Sequence, residues 1–564
     1  MVRNALQEPL TKAGTDRGRL FAAADDGSIR TLLLIACLTA LTWVINAIWL
    51  SLDTRPPVWD MALHQTYAFN YLADEVSTGT RIPFWMLSGV YPPFVHLVIA
   101  LLYWLVGPGP SVAAWANLPA TFLLFWSVAA LARQLAGPAA GRWACALTAA
   151  VPFLFWMSRE TILEYWLSAW VAAALAALLR TEGFANRRYS MLFGCICGLG
   201  LLTKWSFVAF MLPPWAYATV AGRVWREPRR QLNFASAWIL CGAVAAAWYV
   251  PNLSRLVRYV AQNARVGELE GEPPVMSFQS LIYYLRLLEG YQLFLPMFLL
   301  LVASLPFVWK RREKGAFAFL GTAIMGAWLV LTVIRTKDPR FTMPLLGPLC
   351  VLPGAWIQSL RRPRLSTAFK ISLILVLVLQ TYMINFGISF LPDEVRLSEG
   401  YQGSLRWDWN LYLQHYFHVL GSPLQEDWQQ AAVLRKIDQD AAEHGLRRIV
   451  GLAPDLPRFN VLNFRLYARL LKLPCETKRV FWTPAGIVPL EEVDYVLITE
   501  GDQGMAWTTM HSIELNKQVA QSPDFSHVDS FTLPGGQLAR LYRVKRGEAA
   551  SGPRFPLQYC CRKA

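Results

Sequence analysis

The segment Trp59-Asp60-Met61-Ala62-Leu63-His64 places a carboxylate and an imidazole four residues apart, which is one face if it is helical. A carboxylate there can take the proton of an attacking hydroxyl, and His64 can orient that hydroxyl or bind substrate. The plainer reading is a helix start that Asp60 caps. Ser158-Arg159-Glu160, with Glu164 one turn on, is a second cluster. Arg159 could clamp a phosphate and Glu160 could hold an acceptor or a metal. The alternative is an ion pair closing a helix hairpin, with either Glu160 or Glu164 structural. Lys204, Lys337 and Arg340 are cations suited to a lipid-linked phosphate. Snorkelling to headgroups is the competing explanation. It fits Lys204 least well, because that residue interrupts a long apolar run.

These groups must be positioned by membrane helices. Of 564 residues, 55% are hydrophobic and 16% charged, against about 25% charged in average soluble domains. A span needs about 20 apolar residues. The apolar runs predict eleven spans, near 31–50, 113–132, 143–157, 161–179, 190–203, 206–221, 233–251, 291–308, 316–334, 341–359 and 371–389. The first run is too long for a secretory leader and holds Trp43 and Trp49, so it reads as a retained span. Segment 91–106 is either a twelfth span or an interfacial helix.

Charge sets the orientation. Segments 133–142, 180–190, 222–232, 309–315 and 360–370 hold 17 Lys/Arg in 50 residues, whereas 51–112, 158–160, 204–205, 252–290 and 335–340 hold 11 in 112. The positive-inside rule makes the first set cytoplasmic, provided 91–106 does not cross and 190–221 makes two short passes. The net charge of +15 is then largely topological, and nucleic-acid binding loses its main support. Residues 1–30 become a cytoplasmic tail. Residues 31–390 form the membrane domain, with large outer loops at 51–112 and 252–290. All the candidate groups fall on the outer side. Ionisable groups at such a boundary are functional hypotheses by default.

Residues 391–564 have ordinary charge density and predict an extracytoplasmic α/β domain. Helices are expected at Asp427–His444, ending at Gly445, and at Phe459–Leu471. Strands are expected at 448–452, 494–498 and 538–544. No phosphate-loop, zinc-protease, C-x-x-C or G-x-S-x-G pattern occurs. Nine cysteines do not make a disulfide scaffold. Cys37, Cys145, Cys195, Cys197, Cys241 and Cys350 read as core residues. Cys475, Cys560 and Cys561 fall on the outer side. His96 reads as packed or interfacial. Tyr401, Trp407, Trp409, Tyr412 and Tyr416 could stack on sugar, with packing the plainer role.

The ordered set Trp59-Asp60, Tyr91-Pro92-Pro93, Ser158-Arg159-Glu160, Leu202-Thr203-Lys204-Trp205 and Thr336-Lys337-Asp338-Pro339-Arg340-Phe341 resembles the C-type (GT-C) membrane glycosyltransferases. Within them it is similar to the bacterial branch of protein O-mannosyltransferases and aminoarabinose transferases. The resemblance spans about residues 30–390. It implies a polytopic α-helical GT-C fold in the bacterial inner membrane. It also implies a polyprenyl-phosphate-sugar donor, transfer to a lipid, glycan or protein acceptor on the outer face, and a juxtamembrane helix at 91–106. By position it implies Asp60 as general base, Arg159 and Glu160 as the second-loop motif, and Lys337 and Arg340 at the phosphate-binding end. The chain departs from many relatives in having Asp60-Met61 for an Asp-Glu pair, and from some in having Val90-Tyr91 for Glu-Lys. The expected reaction is a single inverting displacement. No cofactor is assigned, and a divalent metal stays open. The competing functions are a transporter or flippase of lipid-linked intermediates, a polymer ligase and a sensor.

Overall fold

The apolar runs form helices throughout the first two thirds of the chain. The computed structural model describes residues 26–72, 83–311, 315–360, 363–392, 394–399, 408–413, 421–484, 486–505 and 508–545. Among the described residues, eight helices are long and apolar enough to cross a membrane: Ser28–Leu52, Pro110–Ala136, Leu163–Arg180, Pro228–Leu269, Phe278–Trp309, Gly315–Thr332, Pro339–Ser359 and Ser366–Phe386. The protein is a multi-pass membrane protein. Three other expected spans fall on shorter helices. The run at 143–157 is split between Pro138–Ala150 and Pro152–Met157, because Pro152 has no N–H to continue the ladder. Arg187–Thr203 and Phe207–Ala221 are the two short passes around Lys204. Segment 91–106 gives the helix Phe94–Val106 of 13 residues. That is about 20 Å, short of the roughly 30 Å hydrocarbon core.

Two elements extend beyond their expected limits. Pro228–Leu269 has 42 residues, about 63 Å, so the helix runs on through much of the expected outer loop 252–290. Phe278–Trp309 begins inside that same loop and carries a π-helical stretch, Leu288–Leu293. Cys37 is exposed and Cys195 half-buried, whereas Cys145, Cys197, Cys241 and Cys350 are buried as expected. Cys37 lies on the outward face of an apolar helix, where a small hydrophobe is tolerated without packing. His96 is fully buried.

The described chain divides into two compact units: Met1–Asp53, Ser88–Leu102 and Ser111–Pro423 in one, Thr54–Leu87, Tyr103–Pro110 and Leu424–Ala564 in the other. Residues 51–112, the expected first outer loop, are thus divided between them.

The second unit contains a five-stranded sheet in the order Glu476–Arg479, Ile449–Leu452, Tyr495–Thr499, Leu538–Val544, Phe525–Thr532. The first three strands are parallel and the last two antiparallel. Side chains alternate between its faces. Val450, Leu452, Tyr495, Leu497 and Leu541 pack with Val433, Leu434, Ile437 and Phe464 of helices Gln430–His444 and Val461–Leu470. Ile449, Val496, Ile498 and Tyr542 pack with Leu515 and Val519 of Ser512–Gln521. The expected helix end at Gly445 is present, with the left-handed φ of 65° that favours glycine. The expected sugar-stacking aromatics Tyr401, Trp407 and Tyr416 lie outside the described residues, as do the side chains of Trp409 and Tyr412 and the pair Cys560-Cys561.

Candidate active site

Helix Leu163–Arg180 is buried almost all round, as expected of a helix at the centre of a bundle. Its first turn carries Glu164, where the helix dipole favours a carboxylate. Lys204 reaches it. Helix Arg187–Thr203 stops at Lys204, whose backbone is extended (φ −157°, ψ 136°). The next helix turns back so closely that a side chain at Gly200 would overlap the Phe207 ring. That reversal leaves the Lys204 ammonium in an ion pair with Glu164 Oε1. The same ammonium lies 5.4 Å from the Phe341 ring centroid. Glu164 also feels the charge of Arg340.

Arg340 sits in the short 3-10 turn Pro339–Thr342, capped by Asp338. The Asp338 carboxylate accepts from the Arg340 backbone N–H at 2.7 Å and from its guanidinium at 3.0, 3.0 and 2.7 Å. Glu164, Lys204, Asp338, Arg340 and Phe341 are therefore one cluster. Three of the expected residues meet there, and Glu164 rather than Glu160 is the second-loop acid that faces the cation.

Lys337 is held by backbone carbonyls. Its Nζ donates to the carbonyls of Leu331, Thr332 and Ile334 at 3.2, 2.7 and 2.7 Å. These carbonyls lie at and just past the end of helix Gly315–Thr332, and those of Leu331 and Thr332 also accept from Ile334 N–H and Ser280 Oγ. An ammonium carries three protons, so a phosphate contact at Lys337 would require giving up one of these bonds. Burial holds this lysine down to about 8, Glu272 opposing and Arg335 assisting. Glu272 is pushed up to about 7 by burial and by Glu270 and Asp338, against Lys337 and a hydrogen bond from Tyr283.

Arg159 and Glu160 are held by other partners. The Arg159 guanidinium donates to Asn385 Oδ1 and lies 4.0 Å from the Trp49 ring centroid. Asn46 donates to the neighbouring Ser158 hydroxyl at 2.7 Å. Asn117 Nδ2 donates to the Glu160 carbonyl at 2.8 Å, and the Glu160 side chain is half-buried. Sequence reasoning missed Asp338 as a partner of Arg340. It also missed Glu289 and Gln292, both fully buried in the π-helical stretch. Their signal is a carboxylate and an amide flanking an apolar run, where water cannot solvate them. Gln292 Nε2 donates to Pro339 O at 2.6 Å and Thr342 Oγ1 at 2.9 Å, bracing the Arg340 turn.

Asp60 and His64 belong to the second unit. Both lie on helix Trp59–Leu72, Asp60 in its first turn and half-buried, His64 buried. The expected shared face is therefore present. The next residue, Gln65, accepts from the Tyr103 hydroxyl at 3.2 Å. Among the described residues the one grouping of three metal-type ligands is Asp440, Glu443 and His444. Both Asp440 oxygens are engaged by Arg543, and one also by Tyr495, so this group reads as an internal ion pair.

The crystal structure of ArnT from Cupriavidus metallidurans bound to undecaprenyl phosphate superposes with a TM-score of 0.57 over 92% of this chain and 99% of that one, at 15% identity. The chain shares the fold of that structure. Residues 90–254 match the dolichyl-phosphate-mannose-protein mannosyltransferase family. An undecaprenyl phosphate-alpha-4-amino-4-deoxy-L-arabinose arabinosyl transferase of Edwardsiella ictaluri is 27% identical over 282 residues, 46% of this chain and 48% of that one. The enzyme of the same description from Pseudomonas aeruginosa is 28% identical over 277 residues, 46% and 49%. The chain thus matches about half the length of these curated relatives.

Proposed function

We propose that this protein is a membrane glycosyltransferase that moves a sugar from a polyprenyl-phosphate donor to an acceptor hydroxyl on the outer face of the bacterial inner membrane. The observation that carries the reading is the cluster of Glu164, Lys204 and Arg340 at one end of a membrane bundle of GT-C fold. The relatives named for undecaprenyl-phosphate-linked sugar transfer add support. In this reading the N-terminus is cytoplasmic and the domain after residue 390 is outside, on the strength of the basic loops.

The cations serve the leaving group. Transfer from a lipid phosphate builds negative charge on the departing oxygen, and fixed cations stabilise it without reorganising. Their exposure divides the work. The Lys204 and Glu164 side chains are 12% and 5% exposed, those of Arg340 and Asp338 28% and 24%. Arg340 is the more readily exchanged, so an arriving phosphate competes with Asp338 for its guanidinium fork. The buried Glu164–Lys204 pair stays in place and fixes the field around it. Lys337 holds the outer end of its helix. Asp60 takes the acceptor proton, and His64 on the same face orients the hydroxyl or binds substrate. The acceptor oxygen forms its bond to the anomeric carbon as the phosphate leaves from the opposite side, with inversion.

Asp60→Asn in full-length protein reconstituted into liposomes tests this. Loss of sugar transfer with normal insertion and donor binding is expected. Unchanged transfer removes Asp60 from the role. Absence of transfer by the wild type together with movement of the lipid-linked sugar across the bilayer overturns the enzyme in favour of a flippase.

A further inference from the structure

In open parallel sheets, ligands bind outside the carboxyl ends of the strands where the strand order reverses. Here that point is the end of Ile449–Leu452, which has the parallel strand Glu476–Arg479 on one side and Tyr495–Thr499 on the other. The loop leaving it, residues 453–460, is stiff. Asp455 N–H donates to Gln503 O at 2.8 Å, and its carboxylate accepts from Arg479 at 3.0 Å and Thr508 at 2.6 Å. Gly504 approaches so closely that any side chain would strike the Asp455 carbonyl. Asn460 caps helix Val461–Leu470 through the N–H groups of Leu462 and Asn463, and its own amide returns to Leu456 O.

This stiff end grips the segment that precedes Asp60. Arg458 Nη1 donates to Pro56 O, Asn463 Nδ2 to Pro57 O at 2.5 Å, and Trp59 N–H to Pro457 O at 3.2 Å. Thr54 N–H adds a bond to Leu424 O at 3.1 Å. The two prolines have no N–H to offer, so at Pro56 and Pro57 the backbone can be held only by donors brought to the carbonyls. Arg458 and Asn463, both buried, supply them. Arg458 is itself tied through its carbonyl to Gln430 Nε2 at 2.6 Å.

We propose that the α/β domain uses the ligand-binding end of its sheet to clamp residues 54–59, with Arg458 and Asn463 as positioning residues that set Asp60 for proton transfer. The proposal rests on Asp60 being the base. A misplacement of about 1 Å can cost roughly 100-fold in rate. Arg458→Ala in the full-length reconstituted protein is therefore expected to lower kcat by about 10- to 100-fold with donor KM unchanged, and Arg458→Lys to recover much of it. Hydrogen exchange at the Thr54 and Trp59 amides is expected to quicken in Arg458→Ala and in Asn463→Ala, which removes one bond while leaving the Asn460 cap. Unchanged exchange in both variants overturns the clamp whatever the activity. Normal kcat in Arg458→Ala beside an inactive Asp60→Asn overturns its catalytic consequence. An active Asp60→Asn instead refutes the base assignment, and the exchange result alone still decides the clamp.

Discussion

The membrane bundle and the α/β unit both bury apolar side chains together with a few charged ones, but they expose different surfaces. In the bundle, Ile239, Val250 and Leu375 face outward, as lipid permits, while Arg159, Glu164 and Glu289 are inside. In the α/β unit the interior is Val, Leu, Ile and Phe. Its buried Asp440 sits beneath Arg543 and Tyr495. A charge drawn into a bundle from a bilayer is hard to explain as packing alone. A charge under a sheet, bonded to its strands, can serve as an internal tie, paired in place. The same arithmetic of burial thus marks a candidate site in one region and internal support in the other.

The strongest test of that contrast is Glu164→Ala. It strands Lys204 in a buried setting, at a cost of roughly 3–5 kcal/mol, and sugar transfer should fall by more than about 100-fold. The double change Glu164→Met with Lys204→Met removes both charges. It should regain thermal stability in detergent while transfer stays lost; recovery of transfer would make the pair a mere packing element.

Arg543→Ala is the matching change in the α/β unit. It removes the guanidinium from Asp440, leaving the Tyr495 hydroxyl as a donor, and should lower the melting temperature of that unit by the equivalent of about 1.5–3 kcal/mol, with kcat per folded molecule unaltered. The Arg543 and Tyr495 hydrogen bonds hold Asp440 below the ordinary carboxylate range. Its contribution is therefore present at neutral pH and lost as pH falls through that lowered value. Acid unfolding curves should show the variant to be less acid-sensitive than the parent.

Lys337 can break the contrast, because it is a buried cation in the bundle that acts as a helix cap. Lys337→Met should reduce stability by about 1.5–3 kcal/mol and leave donor KM unchanged in a transfer assay; a raised KM would return Lys337 to phosphate binding. Glu272→Gln should have the smallest effect. Glu272 is raised to about 7, so the folded state keeps its proton longer than the unfolded chain does, and stability drops as pH rises from about 4.5 to 7. The variant should flatten that slope in melting curves taken across the same range.

The helices of the bundle were legible because lipid demands long apolar runs, which periodicity and charge reveal directly. The domain helix Gln430–His444 and strands Ile449–Leu452, Tyr495–Thr499 and Leu538–Val544 were legible for the analogous reason, a buried face. Strands Glu476–Arg479 and Phe525–Thr532 lie at the two edges of the sheet and carry polar residues there, so they offer little apolar pattern. Lys204 was legible as a cation out of place. Its partner was not, because nothing local in the sequence separates Glu160, in the linker, from Glu164, in the first turn of the helix that begins at Leu163. Arg458 and Pro56 are 402 residues apart, and no local signal joins them.

Binding of undecaprenyl phosphate to the purified full-length protein, compared between wild type and Arg340→Ala, tests the central assignment most directly. The assignment predicts saturable binding by the wild type and an affinity at least about tenfold weaker in the variant, a loss of about 1.4 kcal/mol. Equal affinities, or a wild type that does not bind the lipid phosphate, would contradict it.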